Sequence, residues 1–359
     1  MKNIVNLGNV ATYINGYAFK PSDWAEDGTP IIRIQDLTGN SYQMNRFKGI
    51  VDSKYDVNSG DVLISWSASL GVYVWNRGNA VLNQHIFKVV FDKEEVDKDF
   101  FVFQIDNLLK RAANQAHGAT MRHLTKPVFD ALPFYLPDIK TQRLISSKLN
   151  LIVHLIEDHH EQLKKLDELI RSRFIEMFGD LINEPKYPGI KLGSLGIMIT
   201  GGTPSRKHDE YYGGNIPFIS TPCLGSNFIS EKNVQNYLTE AGVKNSATHK
   251  IPPYSLMVGN RVGVGKSSIN TCEMCTNQDI LSFVHIDTSR FDLLFLKKVI
   301  DQYSPYFDEH KRGATIQGVP SKVIKDSMVP DVPLEMQKRY TALVKQSDKS
   351  KMAVQKSLD

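Results

Sequence analysis

The residue types best suited to chemistry stand together in the run 263–268, GVGKSS, which carries the glycine, lysine and serine of a phosphate-binding loop. Such a P-loop also needs a glycine five residues before its second glycine, where this chain has Asn260. Gly259 lies one residue too early, and no clear Walker B strand is evident. We therefore expect a glycine-rich hairpin tip that exposes Arg261 and Lys266, rather than a nucleotide site.

The cysteines offer a second candidate site, because Cys272 and Cys275 form a Cys-x-x-Cys pair. A closed zinc site needs four ligands. Neither Cys223 nor His249 and His285 lie at a recognisable spacing from this pair. With three cysteines in the whole chain, a disulfide framework is also disfavoured. We therefore predict free thiols and no metal site.

Two short runs have the spacing of catalytic motifs but lack the necessary side chains. Ile251-Pro252-Pro253-Tyr254 has the form of the Asn/Asp-Pro-Pro-Tyr motif that binds the target amine in amino-methyltransferases, but isoleucine cannot hydrogen-bond an amine. Asp138-Ile139-Lys140 fits the Asp-x-Lys of a nuclease only by overlap, and Asp138 is better explained as a helix N-cap. We therefore predict no catalytic residues and no cofactor in this chain.

Basic and polar side chains at predicted turns are more suggestive of binding. Arginine can pair with guanine O6 and N7, glutamine with adenine N6 and N7, and lysine or threonine with phosphates. Any one of these residues is equally well explained as solvated surface, but their clustering in corresponding parts of the chain favours DNA. The candidate DNA-binding residues are Lys20, Arg33, Gln35, Trp66, Arg77, Thr120, Arg122, Arg206, Lys207, Arg261, Lys266, Lys311, Arg312, Thr315 and Gln317.

Length and composition allow two ordinary domains and one further long element. The chain has 359 residues, of which 41% are hydrophobic, so each domain can bury a core. A net charge of +4 permits a nucleic-acid partner without requiring one. No apolar run approaches the roughly 18 residues that span a bilayer, and the N-terminus has no secretory signal core. These features predict a cytoplasmic protein with no membrane partner.

The longest predicted element is a helix over Asp138–Gly179, which contains no proline and no glycine before its end. Its apolar residues recur in alternating steps of four and three, as in the seam of a coiled coil. At about 1.5 Å per residue the helix is roughly 60 Å long, which is too long for the core of one compact domain. The seam consists of Ile145, Leu149, Ile152, Ile156, Leu163, Leu166, Ile170 and Met177.

The segments on either side of this helix repeat one another. In the first, short β-type runs (Ile31–Ile34, Val62–Ser65, Val72–Trp75 and His85–Phe91) precede a predicted helix, Lys98–Ala113. The offset between the copies rises from 185 to 194–195, and we place the additional residues in the loop Arg206–Gly214. The matching pairs are Leu7-Gly8 with Leu192-Gly193, Asn83-Gln84 with Asn277-Gln278, Gly118-Ala119-Thr120 with Gly313-Ala314-Thr315, and Gln142 with Gln337.

A second, shorter helix is predicted over 333–359 and can pair antiparallel with the first. Because it is about four turns shorter, we expect part of the long helix to stay uncovered, exposing Leu166, Ile170 and Met177 to a partner protein. Its own seam residues for packing or docking are Val344, Val354 and Leu358, with Ser347 and Lys351 as polar interruptions.

Taken in order, several runs resemble the recurrent patches of type I restriction-modification specificity (S) subunits. The resemblance covers essentially the whole chain, in the order domain, helix, domain, helix. The runs are 28–37 (GTPIIRIQDL), 83–86 (NQHI), 117–124 (HGATMRHL), 136–143 (LPDIKTQR), the helix end KLDEL and FIEMFGD, and 332–339 (VPLEMQKR).

This resemblance implies an α+β fold in which two duplicated globular target-recognition domains are separated by a long antiparallel coiled-coil helix pair. The implied segments are a first target-recognition domain (1–137), a long spacer helix (138–180), a linker with the second target-recognition domain (181–332), and a shortened distal spacer helix (333–359). Each domain is expected to read one half of a split sequence in double-stranded DNA.

The resemblance also implies partners. The paired helices would dock modification (M) subunits, expected to number two, and restriction (R) subunits would join the complex. Adenine methylation with S-adenosylmethionine, and cleavage driven by ATP with Mg²⁺, would then belong to those partners. Two alternatives stay open from sequence: a two-lobed protein-interaction scaffold that does not read DNA, and a stand-alone methyltransferase or nuclease, which Ile251 disfavours.

Overall fold

The chain divides into two compact units, residues 1–157 (unit 1) and 158–359 (unit 2), each with a mixed α+β fold. The division falls inside the long helix. The boundaries predicted at 137, 180 and 332 separate recognition domains from spacer helices rather than compact units, and they stay predictions. The computed structural model describes residues 3–40, 43–115, 125–234, 236–313 and 317–358.

Unit 1 is built from small, mostly antiparallel sheets and helices. Its strands are β1 (Ile4–Asn6), β2 (Thr12–Asn15), β3 (Trp24–Ala25), β4 (Thr29–Ile32), β5 (Arg46–Phe47), β6 (Asp56–Val57), β7 (Val62–Ser65), β8 (Gly71–Val74), β9 (Ala80–Leu82), β10 (Ile86–Val90) and β11 (Pro133–Tyr135). Its helices are α1 (Ile34–Leu37), α2 (Lys98–Gln115), α3 (Lys126–Asp130) and the first part of α4 (Ile139–Phe178). The sheet orders are β1-β11, β2-β10-β7-β8 and β3-β5-β4-β9-β6.

The strands and helix predicted in unit 1 are confirmed in type, with one local error. Val62–Ser65 coincides with β7, and the helix predicted from Lys98 is α2. The strand predicted over Ile31–Ile34 ends early, because Ile34 begins α1. The buried Asp36 carboxylate accepts a hydrogen bond from the Arg33 backbone N–H at 2.9 Å, which turns the chain into that short helix.

Unit 2 has the same kind of architecture. Its strands are β12 (Gly179–Asp180), β13 (Glu184–Pro185), β14 (Gly189–Lys191), β15 (Ile197–Thr200), β16 (Tyr212–Ile219), β17 (Phe228–Ile229), β18 (Asn236–Leu238), β19 (Lys250–Ile251), β20 (Leu256–Gly259), β21 (Ser267–Asn270), β22 (Met274–Thr276), β23 (Ile280–Val284) and β24 (Met328–Pro330). Its helices are α5 (Glu240–Lys244), α6 (Leu293–Gln302), α7 (Ser304–Glu309), α8 (Ser321–Lys325), α9 (Leu334–Leu358) and the last part of α4. The sheet orders are β12-β13, β14-β24, β15-β23-β20-β21-β17 and β18-β16-β22-β19.

Strand pairing confirms that the units are copies of one fold. The order β2-β10-β7-β8 recurs as β15-β23-β20-β21. The parallel pair β4–β9, with β6 antiparallel to β9, recurs as the parallel pair β16–β22, with β19 antiparallel to β22. Such non-local pairings depend on the whole chain, so their recurrence is stronger support for duplication than the short sequence matches.

The predicted position of the additional residues was wrong. Ile32 on β4 pairs with Leu82 in the same way that Ile219 on β16 pairs with Thr276. Equivalent residues of β4 and β16 are therefore 187 positions apart in the sequence. On the neighbouring strands β6 and β19 the offset is already 194. Most of the insertion therefore lies between β16 and β19, and not in the loop Arg206–Gly214.

Helix α4 begins and ends as its terminal residues predict. Asp138 is the N-cap, and its Oδ1 accepts hydrogen bonds from the backbone N–H groups of Lys140 and Thr141 at 3.1 Å each. The helix ends at Phe178 because Gly179 adopts φ +85°, a left-handed conformation that favours glycine. Both ends are set by local chemistry.

A buried glutamine joins each unit to the helix that follows it. Gln142 Oε1 accepts a hydrogen bond from the Asp97 N–H at 2.9 Å, and Gln337 Oε1 does the same for the Asp292 N–H at 2.9 Å. Each Nε2 also donates to the carbonyl five residues before it, at 2.8 Å from Gln142 and 2.9 Å from Gln337. Both side chains are inaccessible to solvent, so α4 and α9 are tied to their units by the same contact.

Helix α9 packs against the second half of α4 within unit 2. The Tyr340 ring lies 5.4 Å from that of Phe174 and 5.7 Å from that of Phe178. The Tyr340 hydroxyl donates to the Ile170 carbonyl at 3.3 Å. Further along α9, Lys351 forms an ion pair with Asp167. Because later residues of α9 meet earlier residues of α4, the two helices run in opposite directions.

This direction corrects the expected exposure of the seam. Ile170 is buried, and Met177 packs against the core of unit 2. The prediction that the end of α4 is uncovered was therefore wrong: an antiparallel partner meets the end of α4 first. Leu144, Leu169 and Ile175 are exposed at separate places on α4. The largest group of exposed apolar residues lies in the middle of the helix, and we call it the α4 stripe: Leu151, Ile152, Val153, Leu155 and Ile156.

The remaining seam residues are covered to different degrees. Val344 is buried in the same core as Tyr340. The other seam residues outside the stripe are half-buried, and Ser347 is buried with its hydroxyl unpartnered. These half-buried residues are Ile145, Leu149, Leu163, Leu166, Val354 and Leu358. In the part of the chain that the structure describes, no helix combines the length and apolar character needed to cross a membrane.

Replacing Gln337 by leucine should lower the free energy of unfolding by about 1–3 kcal/mol, because buried backbone groups would lose their hydrogen-bond partners. Gln142→Leu should have a similar effect. Urea unfolding followed by circular dichroism measures both changes. Gln162→Leu on the exposed face of α4 is the control, with an expected change within about 0.5 kcal/mol. Equal losses at all three positions would contradict a special role for the buried amides.

Candidate nucleic-acid interface

Each unit forms the same corner at the end of its central parallel strand pair. We call it the Asn-Gln corner, and it consists of Asn83-Gln84 in unit 1 and Asn277-Gln278 in unit 2. The Asn83 N–H donates to the Ile32 carbonyl at 3.1 Å, and the Asn277 N–H donates to the Ile219 carbonyl at 3.0 Å. The sequence match of these dipeptides therefore corresponds to one repeated backbone arrangement.

In each unit the backbone of one glycine passes very close to the backbone of the Asn-Gln corner. The Gly16 N–H donates to the Ile86 carbonyl at 3.0 Å, and the Gly201 N–H donates to the Ile280 carbonyl at 3.2 Å. A Cβ atom at Gly16 would lie 2.0 Å from the Asn83 carbonyl oxygen, and one at Gly201 would lie 2.2 Å from that of Asn277. Only glycine fits. This pair was missed from sequence, although the initial offset of 185 relates the two positions.

In unit 2 an open cleft of about 610 Å³ lies beside the corner, and we call it the corner cleft. Tyr212 and Phe218 contribute aromatic rings, and most of the other lining side chains are polar. This combination suits a nucleobase, which has a flat face and a hydrogen-bonding edge. The polar lining residues are Thr203, Arg206, Asp209, Ser220, Asn236, Asn277 and Gln278.

A second cleft, of about 660 Å³, shares Gln278 with the corner cleft and is lined by Arg261 and Arg312. The Arg312 N–H and carbonyl both bond to Gly318, at 2.8 and 2.9 Å, which fixes the loop that presents this arginine. The structure thus brings predicted DNA-binding arginines from three separate loops to two clefts that meet at one glutamine. Predicted Gln317 is exposed in the same loop as Gly318.

In unit 1, Arg33 is held by its own unit. Its Nε donates to Asp36 Oδ2 at 3.3 Å, and the guanidinium lies 5.9 Å from the centre of the Trp24 ring. With the amide oxygens of Gln35 and Asn45 facing the guanidinium, its N–H groups also donate to them at 2.8 and 3.0 Å. Arg33 therefore organises the exposed Gln35 and Trp24, and direct contact of Arg33 with DNA stays a prediction.

The other predicted residues of unit 1 are more scattered. Trp66 is half-buried: its Nε1 donates to Asn15 Oδ1 at 3.1 Å and its ring stacks on Phe87. Arg77 is exposed over the Trp75 ring, and Lys20 is exposed. DNA binding by these three residues stays a prediction. Predicted Thr120, Arg122 and Thr315 lie outside the described residues.

Three predicted lysines of unit 2 lie away from the corner cleft lining. Lys266 sits at the hairpin between β20 and β21, as expected, and the N–H groups of Gly265 and Lys266 bond within that hairpin. They are therefore not free to bind phosphate. Lys311 pairs with Asp308 at 2.5 Å. Lys207 is exposed next to Arg206.

The cysteines are unpaired in the structure. Burial raises the pKa of the Cys275 thiol to about 11, and burial also raises the pKa of Cys272. Both thiols are therefore protonated at neutral pH and are poor nucleophiles in the folded protein. Within the described ranges, no group of three or more His, Cys, Asp or Glu residues is arranged to hold a metal ion.

A family model for the type I restriction modification DNA specificity domain matches residues 2–168 and 187–358. The two matches coincide with the two copies of the fold. The chain belongs to this family. The type I specificity subunits that it resembled by sequence are therefore its relatives.

Curated relatives are specificity subunits, and the alignments cover less than half of each one. The EcoBI specificity subunit of Escherichia coli is 25% identical over 170 residues, which is 46% of this chain and 35% of that protein. The HindI specificity subunit of Haemophilus influenzae is 29% identical over 124 residues, or 34% of this chain and 27% of that protein.

Solved structures share the fold along the whole chain. One comes from work on complex assembly and conformational transition of the type I R-M system, with a TM-score of 0.63 at 15% identity, covering 99% of this chain and 93% of that chain. The S subunit from M. genitalium has a TM-score of 0.56 at 12% identity, covering 100% and 92%. At such identities the likeness concerns the fold alone.

Cys275 should resist alkylation in the folded protein. A rise of its pKa to about 11 leaves about 100-fold less thiolate at neutral pH, and burial further limits access. Iodoacetamide treatment at pH 7.5 followed by peptide mass spectrometry should modify the half-buried Cys223 first. In urea all three cysteines should react at similar rates. Modification of Cys275 as fast as Cys223 in the native protein would contradict the assigned burial.

Proposed function

We propose that this chain is a DNA sequence-specificity subunit of a type I restriction-modification complex, in which each unit reads one half of a split target. One observation carries the proposal: the two units repeat the same Asn-Gln corner but differ in the side chain beside it, Arg33 in unit 1 and Ser220 in unit 2. One framework with different side chains suits the reading of two different half-sites. Membership of the specificity family supports this function.

We further infer that α4 and α9 form an antiparallel coiled-coil spacer between the two DNA-reading units. The contacts of Tyr340 and Lys351 with α4 support that pairing. Two linked readers gain affinity through effective concentration when their half-sites match the spacer. Spacer length would then contribute to sequence specificity, because a change in it moves and rotates one reader relative to the DNA groove.

The chemistry is assigned to partner subunits, and this chain to a non-catalytic role. Modification subunits would supply S-adenosylmethionine and adenine methylation, and restriction subunits ATP-dependent, Mg²⁺-dependent cleavage. The α4 stripe is the proposed docking surface for modification subunits, because its side chains are between 38% and 60% exposed. Contiguous exposed apolar surface on a water-soluble domain is typical of protein–protein contact.

DNA binding by the chain with modification subunits should be sequence-specific and weaken as salt rises, because phosphate contacts release counterions.

Replacing residues 1–137 by the matching segment of another specificity subunit should change only one half of the methylated sequence. Sequencing of methylated adenines in a host genome reads both halves and their spacing. A change in both halves, or in neither, would contradict one reader per half-site.

Ile152→Glu and Ile156→Glu should weaken the binding of modification subunits at least 10-fold, because a charge would be buried at the proposed contact. Co-purification and analytical ultracentrifugation with a modification subunit measure the loss. Leu169→Glu, also exposed on α4, is the matched control and should bind normally. Unchanged binding by both stripe variants would remove the stripe from the docking surface.

The second candidate function is a protein-interaction scaffold that does not read DNA, which the α4 stripe would also suit. The same DNA-binding measurement separates the two functions. Absence of binding, with and without modification subunits, would favour the scaffold. Salt-dependent, sequence-selective binding would exclude it.

A further inference from the structure

The two units carry different residues at a structurally equivalent position beside the Asn-Gln corner. Arg33 and Ser220 each follow the central parallel strand directly, after Ile32 and Ile219. In unit 1 the long Arg33 side chain bonds to its own unit. In unit 2 the short Ser220 side chain lines an open cleft instead.

The open cleft has hydrogen-bonding groups without internal partners. Among the residues that the structure describes, the side chains of Arg206, Ser220 and Asn236 form no hydrogen bond or ion pair. Arg206 and Asn236 are exposed, and all three line the cleft. A polar concave surface whose groups are not used by the fold is arranged for an external ligand.

The hydrogen bonding of the Gln278 side-chain amide indicates which ligand the cleft suits. A free glutamine amide pairs with adenine, because its oxygen accepts from N6 while its nitrogen donates to N7. Here the Thr203 hydroxyl donates to Gln278 Oε1 at 2.5 Å. This bond uses one of the two lone pairs of Oε1, whereas the Gln278 N–H groups have no partner among the described residues. Arg206 in the same cleft is also a donor. Together they suit an edge that presents two acceptors.

We propose that the corner cleft of unit 2 reads the acceptor edge of a guanine, O6 and N7, through Arg206 and Gln278, with Thr203 as the residue that sets this preference. The inference rests on the proposed function, since it assumes that unit 2 reads DNA. Asp209, the acidic side chain in the lining, would repel a phosphate in the same place, which favours a base edge over the backbone.

The test compares methylated half-sites for complexes that contain the full chain and its modification subunits. Arg206→Ala and Gln278→Ala should each reduce the preference for guanine at one position of the unit 2 half-site by roughly 5- to 150-fold. Thr203→Val, which keeps the side-chain shape but removes the hydroxyl, should admit adenine at that same position. The half-site read by unit 1 should not change.

Lys207→Ala is the matched control, because it removes a neighbouring charge outside the cleft lining and should weaken all sequences alike. Circular dichroism of each variant checks folding. Unchanged half-sites in all three cleft variants would overturn the inference, and so would a uniform loss of affinity without loss of sequence preference, which indicates a phosphate contact. If the unaltered complex showed no split target, the proposed function itself would fail.

Discussion

The buried amides of Gln142 and Gln337 are the contacts on which the rest of this architecture depends. Each closes the junction between a domain and the helix that leaves it, because its buried amide hydrogen-bonds backbone groups of two separate segments. A buried polar group without a partner costs more than its hydrogen bond gains, so this arrangement tolerates few alternatives. The repeated glutamine therefore fixes how α4 and α9 leave their domains, and every proposed role for these helices follows from that junction.

The duplicated fold separates a constant framework from variable side chains. Both Asn-Gln corners have a parallel strand pair and an asparagine N–H that bonds to the central strand. Both also have a glycine packed too closely against the asparagine carbonyl to allow a Cβ atom. These features involve the backbone, so they are insensitive to the neighbouring side chains. The residue after the central strand differs between the units: Arg33 bonds within its own unit, whereas Ser220 lines the corner cleft. The backbone framework therefore accepts different side chains at this position.

The helix pair shows how polar residues can interrupt an apolar seam. Lys351 stands at a seam position and forms an ion pair with Asp167 on the facing helix, whereas Ser347 is buried without a hydroxyl partner. Exposed ion pairs contribute little to stability, but a charged or unsatisfied group disfavours shifted registers in which it would meet an apolar face. Aromatic packing around Tyr340 supplies the larger share of the contact within unit 2.

Sequence by itself determined the features that depend on near neighbours. Asp138 and Gly179 mark the ends of α4 because capping and left-handed glycine are local effects, and the repeated dipeptides marked the duplication. Tertiary structure decided which part of the seam is covered, because helix direction depends on contacts between residues far apart in sequence, such as Tyr340 with Phe174. It also decided that Arg33 bonds within its own unit and that Arg206, Arg261 and Arg312 converge around Gln278. Those relations arise when separate loops are brought to one place by strand pairing, which no local pattern in the chain encodes.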